Sequence, residues 1–400
     1  MSPSWPRPRA SSSSTRRLVL IVCALAGVVA PLAGERRSPP AREYRAYVAS
    51  EAADLISVVR FGPQGLTLDR TIPTGLMPND IDGPHGVAVS PDGKSYFVSL
   101  AHGQPFGSVW KYSVEGDKVL GQVTLGMFPA TMQVTPDGEF LYVVNFNLHG
   151  DRVPSSVSVV ATDGLLEVAR IRTCLMPHGS RINPQGTKQY SACMMDDTLV
   201  EIDTGTLKVS RHFTLSPGRE TGHTGTALPG APAAADHGAH AAGHGSEPPP
   251  AGTKTCSPTW AQPSSDGRRI FVACNAASDI VEIDSDAWTV VRHFPAGPGV
   301  YNLAVTRDGR LLIASNRRGQ SVSVIEIASG RELVRLPTRR RVVHGVAVTG
   351  DDRFAFVTAE GVSAEPGTVE VIDLAALTTV ATLDLAPQAG GVDVLPDGGR

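Results

Sequence analysis

The chain has 400 residues, of which 41% are hydrophobic and only 19% are charged, so it can bury a large core and is not typical of a disordered protein. Its formal net charge is −3 and no sustained basic stripe is present, which argues against nucleic acid as a partner. The 41 glycines and 31 prolines are many for a helical enzyme and are typical of a chain rich in β-hairpins.

The first 40 residues have the pattern of an export signal. Arginines up to Arg16 and Arg17 precede an apolar run from Leu18 to Ala33. We therefore expect residues 1–40 to be a signal peptide or, if uncleaved, a membrane anchor, and the mature protein to be periplasmic, cell-surface or secreted. The two arginines also resemble a twin-arginine signal, and the pattern leaves the export route and the cleavage site open.

Internal repetition organises the rest of the chain. A Pro-Asp-Gly turn, or a close variant of it, recurs between two strand-like apolar runs. Pro, Asp and Gly favour a tight turn, so each copy predicts a hairpin with the two runs as its arms. Copies of this turn lie at Pro91-Asp92-Gly93, Pro136-Asp137-Gly138, Pro184-Gln185-Gly186, Ser265-Asp266-Gly267, Arg307-Asp308-Gly309, Gly350-Asp351-Asp352 and Pro396-Asp397-Gly398. Four short strands per repeat are the pattern of one propeller blade.

The repeat resembles the YVTN family of propellers, which includes exported surface-layer and lactonase-like proteins. The resemblance rests on Tyr142-Val143-Val144-Asn145, on the Pro-Asp-Gly turns, and on Val371-Ile372-Asp373 and Glu282-Ile283-Asp284. It implies an all-β fold, with residues 41–400 forming one seven-bladed β-propeller of four-stranded antiparallel blades. The C-terminal segment resembles an innermost strand and the segment from Tyr44 begins as a second strand, so we expect the two ends to complete one shared blade.

A composition break interrupts the repeats at residues 219–253. This segment is rich in Gly, Ala, Pro and His without periodicity, and we expect a flexible insertion between blades 4 and 5. His237, His240 and His244 give it the composition of tracts that bind metals loosely, although a polar linker has the same composition.

Blade topology predicts where the histidines lie. Loops after second and outer strands share one face of the ring, here called the upper face, and the Asp-Gly turns lie on the opposite, lower face. His85, His178 and His344 occupy the same repeat position at the upper start of inner strands, so they should line the upper mouth of the central channel. Loops of the same face carry His102, His149, Met194 and Met195.

Three interpretations of this face stay open. Imidazole and thioether groups suit copper, and imidazole alone also suits zinc, so a metal site is one interpretation. Alternatively each Pro-His-Gly unit only introduces an inner strand, with its histidine bonded to a neighbouring carbonyl. Thirdly, an organic or anionic ligand could bind there, contacted by Tyr301, Arg339, Arg340 and Arg341.

Four cysteines follow the export segment, and an even number in an oxidising compartment predicts disulfides. Counting outward from the hairpin turns brings Cys174 near Cys193, and Cys256 near Cys274. We expect these two bonds, one in each of the blades that flank the insertion. Thiolate ligation of a metal is the alternative use of the same residues.

The sequence predicts a functional face more clearly than a reaction. A binding or accessory protein that captures copper or another metal, a small molecule or a protein partner is one hypothesis, and an interaction scaffold is another. The resemblance to lactonase propellers implies a hydrolase, and the histidine-lined propeller of nitrous oxide reductase suggests a metal-dependent oxidoreductase, although this chain lacks that enzyme's second copper domain. Whether the protein is an enzyme stays open. No haem c motif or nucleotide fingerprint is present, so neither cofactor is expected.

Overall fold

The computed structural model describes residues 40–75, 82–102, 106–225 and 255–396. These residues form an all-β ring of seven blades, with one short 3-10 helix at Glu51–Ala53. No helix in the described part of the chain is both long and apolar enough to cross a membrane.

Each blade is an antiparallel sheet whose first strand lines the central channel. The inner strands of blades 1 to 7 are β29 (Ala389–Val394), β4 (Pro84–Val89), β8 (Pro129–Val134), β12 (Pro177–Ile182), β17 (Pro258–Pro263), β21 (Val300–Val305) and β25 (Val342–Val348). The second strands are β1 (Tyr44–Ser50), β5 (Ser95–Leu100), β9 (Phe140–Asn145), β13 (Lys188–Cys193), β18 (Arg269–Cys274), β22 (Leu311–Asn316) and β26 (Phe354–Glu360).

The third and outer strands complete the blades. The third strands are β2 (Leu55–Gly62), β6 (Ser108–Ser113), β10 (Ser156–Ala161), β14 (Thr198–Asp203), β19 (Asp279–Asp284), β23 (Ser321–Glu326) and β27 (Gly367–Asp373). The outer strands are β3 (Gly65–Pro73), β7 (Val119–Thr124), β11 (Leu166–Arg172), β15 (Lys208–Thr214), β20 (Thr289–Pro295), β24 (Arg331–Pro337) and β28 (Thr378–Leu385), and blade 4 carries an additional edge strand, β16 (Thr221–Thr224).

The two ends of the chain close the ring. Strand β29 pairs with β1, with Val392 opposite Val48, so that the C-terminal strand supplies the inner strand of the blade whose other strands are N-terminal. The predicted seven-bladed fold and its shared blade are confirmed. In the closed ring β29 also contacts the inner strands of the two neighbouring blades, β25 and β4, so blade 1 is packed on both faces.

The predicted disulfides are also present. Cys174 is bonded to Cys193 with a Cα–Cα distance of 5.9 Å, and Cys256 to Cys274 with a Cα–Cα distance of 4.4 Å. Each bond connects the segment before an inner strand to the last residue of the second strand in the same blade. The bonds therefore brace blades 4 and 5 at the upper face.

An edge strand from the start of the predicted insertion covers His212. Strand β16 pairs His223 with His212, and the two rings stack with centroids 4.7 Å apart. His212 is consequently only 5% exposed. The start of the segment predicted as a flexible insertion, up to Thr224, is therefore a strand of blade 4.

A bulge near the upper end of the inner strands determines which side chains face the channel. The pairing between inner and second strands shifts register within the first few residues, for example between Pro177 and Ser180. Such a bulge breaks the normal two-residue alternation, so residues three apart face the same side. Two rings of channel side chains result. The upper ring is His85, Ala130, His178, Thr259, Tyr301, His344 and Gly390, and the lower ring is Ala88, Gln133, Arg181, Gln262, Ala304, Ala347 and Asp393.

Hydrogen bonds between blades fix the upper ring. In several blades a buried hydroxyl donates to the carbonyl oxygen of the upper-ring residue in the next blade. These bonds run from Ser99 to Ala130, Thr131 to His178, Thr259 to Tyr301, Ser315 to His344 and Thr358 to Gly390. The backbone of the channel mouth is therefore held from blade to blade, which limits how far its side chains can move.

Candidate functional site

The polar cluster at the upper mouth is built from two kinds of position in the blade. His85, His178, Tyr301 and His344 start inner strands and point into the mouth. The remaining members come at the ends of second strands or directly after them, on the same face; they are Glu51, His102, Arg317 and Glu360. We refer to these eight residues as the mouth cluster.

The imidazoles of the inner strands lie close to one another. The ring centroid of His85 is 5.5 Å from that of His344 and 6.4 Å from that of His178. Tyr301 lies against both of the other histidines, with centroid distances of 5.2 Å to His178 and 5.0 Å to His344. Ring closure thus gathers side chains from blades that are far apart in the sequence.

The carboxylate of Glu51 joins two histidines. Its Oε2 lies 2.7 Å from Nδ1 of His85, and its Oε1 lies 2.6 Å from Nε2 of His102. Although burial opposes ionisation, the two imidazoles hold the pKa of the Glu51 carboxyl far below its usual range. The hydrogen bond to Glu51 in turn raises the pKa of His102.

A glycine permits this arrangement. Gly83 has a φ of +58°, and a Cβ built on it would lie 1.9 Å from Cδ2 of His102. Any side chain at this position would therefore displace the His102 ring from Glu51. His102 keeps 27% of its side chain exposed, so the Glu51–His102 pair faces solvent at the mouth.

His178 is fully committed to hydrogen bonds inside the protein. Its Nδ1 lies 2.9 Å from the carbonyl oxygen of Thr259, and its Nε2 lies 2.9 Å from the hydroxyl of Tyr301. A carbonyl can only accept, so Nδ1 carries the proton and Nε2 accepts from Tyr301. Burial lowers the pKa of His178 to about 3 and raises that of Tyr301 to about 12, so both groups are neutral at pH 7.

Arg317 and Glu360 lie together in the mouth cluster, next to Tyr301 and His344. The guanidinium carbon of Arg317 lies 4.7 Å from the ring centroid of Tyr301, and its Nη2 lies 3.6 Å from Oε2 of Glu360. Oε1 of Glu360 is 3.8 Å from Nε2 of His344. Burial raises the pKa of Glu360 in spite of the nearby arginine, and burial with the adjacent cation lowers the pKa of His344 well below its usual value.

Sequence reasoning did not find Glu51, Arg317 and Glu360. Its candidates on the upper face were histidines, methionines, Tyr301 and the arginines that follow the outer strand of blade 6, and they did not include charged residues at the ends of second strands. The signal for these three residues is that each is a charged residue that ends a second strand or directly follows one. Without the blade positions they do not differ from any other surface charge.

Other predicted residues lie near the mouth cluster or apart from it. The His149 ring centroid is 5.6 Å from that of His102. Met194 packs against an apolar group with Phe128 and Phe146, whereas Met195 is 41% exposed. His237, His240 and His244 lie outside the described residues.

The predicted ligand-binding arginines are placed differently from Tyr301. Arg339 and Arg340 lie 3.1 Å and 3.3 Å from the carboxylate of Asp384 on the outer strand of blade 7. Arg341 is exposed in the same loop. The arginine that reaches the mouth cluster is Arg317 from blade 6.

The donor set of the mouth cluster can be compared with what a metal requires. A metal site needs three or more His, Cys, Asp or Glu ligand atoms close together. Within the described residues one group has its ligand atoms within 4.8 Å of one another, namely Cys174, Cys193 and Asp196, and its two cysteines form a disulfide. His178 has no free nitrogen. The two imidazole nitrogens of the cluster that are buried and lack a partner are Nε2 of His85 and Nδ1 of His344.

Residues 29–168 match the family model described as "Lactonase, 7-bladed beta-propeller". The match spans β1 to β10 and ends within β11, the outer strand of blade 3. No curated protein shows significant sequence similarity to the chain.

Solved structures show the same fold at low identity. Hydrazine synthase from Kuenenia stuttgartiensis has a TM-score of 0.61 at 21% identity, covering 82% of this chain and 94% of that one. The periplasmic gluconolactonase of Pseudomonas aeruginosa has a TM-score of 0.64 at 17% identity, covering 88% and 99%. A functionally unknown protein from Desulfotomaculum acetoxidans has a TM-score of 0.62 at 15% identity, covering 88% and 99%. These structural similarities show that the chain shares its fold with the three proteins.

Proposed function

We propose that the protein is an exported hydrolase that opens cyclic esters at the upper mouth of the ring. The observation that carries this proposal is the mouth cluster itself, in which a carboxylate-held imidazole faces solvent beside an arginine and a buried carboxyl group. The partial match to the lactonase family model and the fold shared with a periplasmic gluconolactonase support the choice of lactones as substrates.

Glu51 and His102 supply the general base in this proposal. A carboxylate bonded to one imidazole nitrogen orients the ring and stabilises the cation that forms when the other nitrogen takes a proton. His102 bonds Glu51 through Nε2, which leaves Nδ1 to accept a proton from water. The water oxygen then attacks the lactone carbonyl carbon.

Arg317 and Glu360 act on the substrate oxygens. The guanidinium of Arg317 stabilises the negative charge that develops on the carbonyl oxygen during attack. When the ring C–O bond breaks, the leaving alkoxide takes a proton from Glu360, whose raised pKa favours the protonated form. The product is an open-chain hydroxy acid. His102 then releases its proton to solvent and Glu360 takes one up, which restores the starting state of the site.

The disulfides support the exported location. Cys174–Cys193 and Cys256–Cys274 persist in oxidising compartments and are rare in the cytosol. Together with the N-terminal sequence pattern, they favour action in the periplasm, at the cell surface or outside the cell.

A lactone panel tests the proposed activity. Untagged protein is assayed by proton release with γ-butyrolactone, δ-valerolactone and glucono-δ-lactone. We expect hydrolysis of at least one, and a loss of about 100-fold in kcat/KM in Glu51→Gln and in Arg317→Met. Asp279→Asn is the matched control, because it breaks a similar carboxylate–histidine pair, Asp279–His293, on the third and outer strands of blade 5. Folded protein without activity on the panel, or a Glu51→Gln variant with the wild-type rate, would contradict the proposal.

Metal binding is the second candidate, with copper or zinc as the ion. It is favoured by the buried, unpartnered nitrogens of His85 and His344, whose rings are 5.5 Å apart. Metal analysis of untagged protein from its export compartment tests it. The candidate requires about one copper or zinc per chain, lost in the His85→Gln/His344→Gln double variant. Metal-free wild-type protein, or metal retained by the double variant, removes it.

A further inference from the structure

The lower ring of channel side chains surrounds a cavity that the mouth cluster does not use. This cavity has a volume of about 250 Å³ and is lined by Gln133, Arg181, Gln262, Ala304, Ala347 and Asp393, with the lower ends of their strands. The alanines of blades 6 and 7 leave room opposite the long polar side chains of blades 3 to 5. The lower ring thus combines free volume on one side with hydrogen-bonding groups on the other.

Arg181 brings a positive charge into this space without a direct ion pair among the described residues. Its guanidinium carbon lies 4.3 Å from the Trp260 ring centroid, and its Nη1 donates to the carbonyl oxygen of Ser180 at 2.9 Å. Among the described residues, no carboxylate oxygen lies within 4.0 Å of its nitrogens, and most of its five donors have no protein acceptor. Burial lowers the pKa of Arg181 only to about 10, so it stays charged at pH 7.

The acidic groups that line the cavity already have partners. Asp393 accepts hydrogen bonds from the backbone nitrogens of Val89 and Val394, at 2.8 Å and 2.9 Å. Asp352 at the lower rim accepts from the backbone nitrogens of Arg307 and Asp308, at 2.7 Å and 2.9 Å. These contacts satisfy the carboxylates locally. Asp393 attracts the Arg181 guanidinium from a distance, but no carboxylate contacts it directly, which is a costly state for a charge removed from bulk water.

Buried polar atoms above Arg181 provide independent evidence for a polar ligand. A space of about 30 Å³ between the two rings is lined by Arg181, Trp260 and Asn302, with His85 and His344 above. Nε1 of Trp260 and Oδ1 of Asn302 are buried there without a protein partner, on residues that are 2% and 4% exposed. A space of this size holds one or two water molecules, and such a water can bridge these atoms to a ligand below.

We propose that the axial cavity below the mouth cluster binds a small oxyanion, a carboxylate or phosphate, on the guanidinium of Arg181. A guanidinium matches such anions because two parallel N–H donors can meet two oxygens. Gln133 accepts from the backbone nitrogen of Ile182 through Oε1, which leaves its amide NH₂ as a further donor beside the anion. The residues that line this cavity include none of the four residues assigned to hydrolysis, so the site does not depend on the proposed reaction.

Calorimetry and thermal unfolding of the full-length protein test the site. The probes are sodium acetate and sodium phosphate, with sodium chloride at matched ionic strength as the reference. We expect saturable binding of one anion per chain and a rise in Tm beyond that in chloride. Preference for acetate identifies a carboxylate site, and preference for phosphate identifies a phosphate site.

Variants assign the binding to Arg181. Arg181→Met keeps much of the packing on Trp260 and should weaken binding at least about tenfold, as expected for losing hydrogen bonds to a charged group. Ala304→Leu fills the cavity from blade 6 with Arg181 intact and should also abolish binding, which keeps the test valid if Arg181→Met does not fold. Arg335→Met is the charge control on the outer strand of blade 6, where Arg335 pairs with Glu332, and should bind like wild type. Equal stabilisation by chloride, or wild-type affinity in Arg181→Met and Ala304→Leu, would overturn the proposal.

Discussion

The hydroxyl of Tyr301 lies 2.9 Å from Nε2 of His178, although the two residues belong to blades 6 and 4, which are not neighbours in the ring. Nδ1 of the same histidine bonds the carbonyl oxygen of Thr259 in blade 5. In most other blades a hydroxyl makes the equivalent bond to the next inner strand. His178 therefore connects three blades, and its role in the upper ring is structural as well as chemical.

Removing the Tyr301 hydroxyl leaves a buried acceptor on His178 without a donor. We expect Tyr301→Phe to lower the free energy of unfolding by about 1–3 kcal/mol, measured by urea denaturation at pH 7. Tyr112→Phe is the matched control, because the Tyr112 hydroxyl is buried without a partner and its removal should cost less. Equal losses in the two variants would show that the bond to His178 does not stabilise the fold.

The buried histidines should make the protein sensitive to mild acid. The folded state holds the pKa of His178 at about 3 and that of His344 well below its usual value, whereas unfolded histidines titrate near pH 6.5. Below pH 6.5 the unfolded state therefore binds more protons than the folded state. The free energy of unfolding decreases as the pH is lowered, and at pH 5 the loss is about 2 kcal/mol per histidine. His102 has the opposite effect on the pH dependence. Its pKa is raised in the folded state, so it stabilises the fold at low pH, and this contribution is lost as the pH rises through that pKa.

Two observations isolate the contribution of His178. The lowered pKa of Glu51 contributes stability that is lost only below about pH 4.5, outside the interval from pH 6.5 to pH 5. Burial raises the pKa of Asp196 to about 6, so this carboxyl group titrates in the same interval as the imidazoles, and the contribution of His178 is the difference between wild type and a His178 variant. In His178→Asn, a donor to Thr259 is retained but the titrating group is removed, and we expect a shallower decline in urea midpoint across that interval. A decline as steep as in wild type would contradict the pKa assigned to His178.

The pH dependence of lactone hydrolysis should report the Glu51–His102 pair. Because the base must be unprotonated, kcat/KM should rise with pH through the raised pKa of His102. In Glu51→Gln the anion that raises this pKa is gone, so the rising limb should move to lower pH while the plateau falls. Rate measurements between pH 5 and pH 9 would show this. A plateau that falls without movement of the limb would assign the base to another group.

The two disulfides should stabilise the blades beside the insertion by similar amounts. Their sequence separations are 19 and 18 residues, so each closes a loop of nearly the same length in the unfolded chain. We expect Cys174→Ala/Cys193→Ala and Cys256→Ala/Cys274→Ala each to lower the free energy of unfolding by about 2–4 kcal/mol. Urea denaturation with and without a dithiol reductant measures both losses, and wild-type stability unaffected by reduction would contradict the prediction.

Local sequence patterns were sufficient to predict the ring. The Asp-Gly turns and the alternating strands set the repeat, and the incomplete repeats at the two ends predicted the shared blade between β29 and β1. Counting along the hairpins also predicted both disulfide pairs. These features depend on contacts between strands that follow one another in the chain, or on repeat arithmetic, and both can be read from a single sequence.

The chemistry of the channel depended on contacts that no local pattern encodes. Glu51 of blade 1 meets His102 of blade 2 across 51 residues, and Tyr301 of blade 6 meets His178 of blade 4 across 123, because the ring brings its blades together at one axis. The bulge in the inner strands then places residues three apart on the channel side, which puts Arg181 beneath His178. By itself the sequence determined the scaffold and the face on which its histidines lie. The tertiary structure decided which of them are bound, paired or free, since burial and the partner across the axis set each hydrogen bond and each pKa.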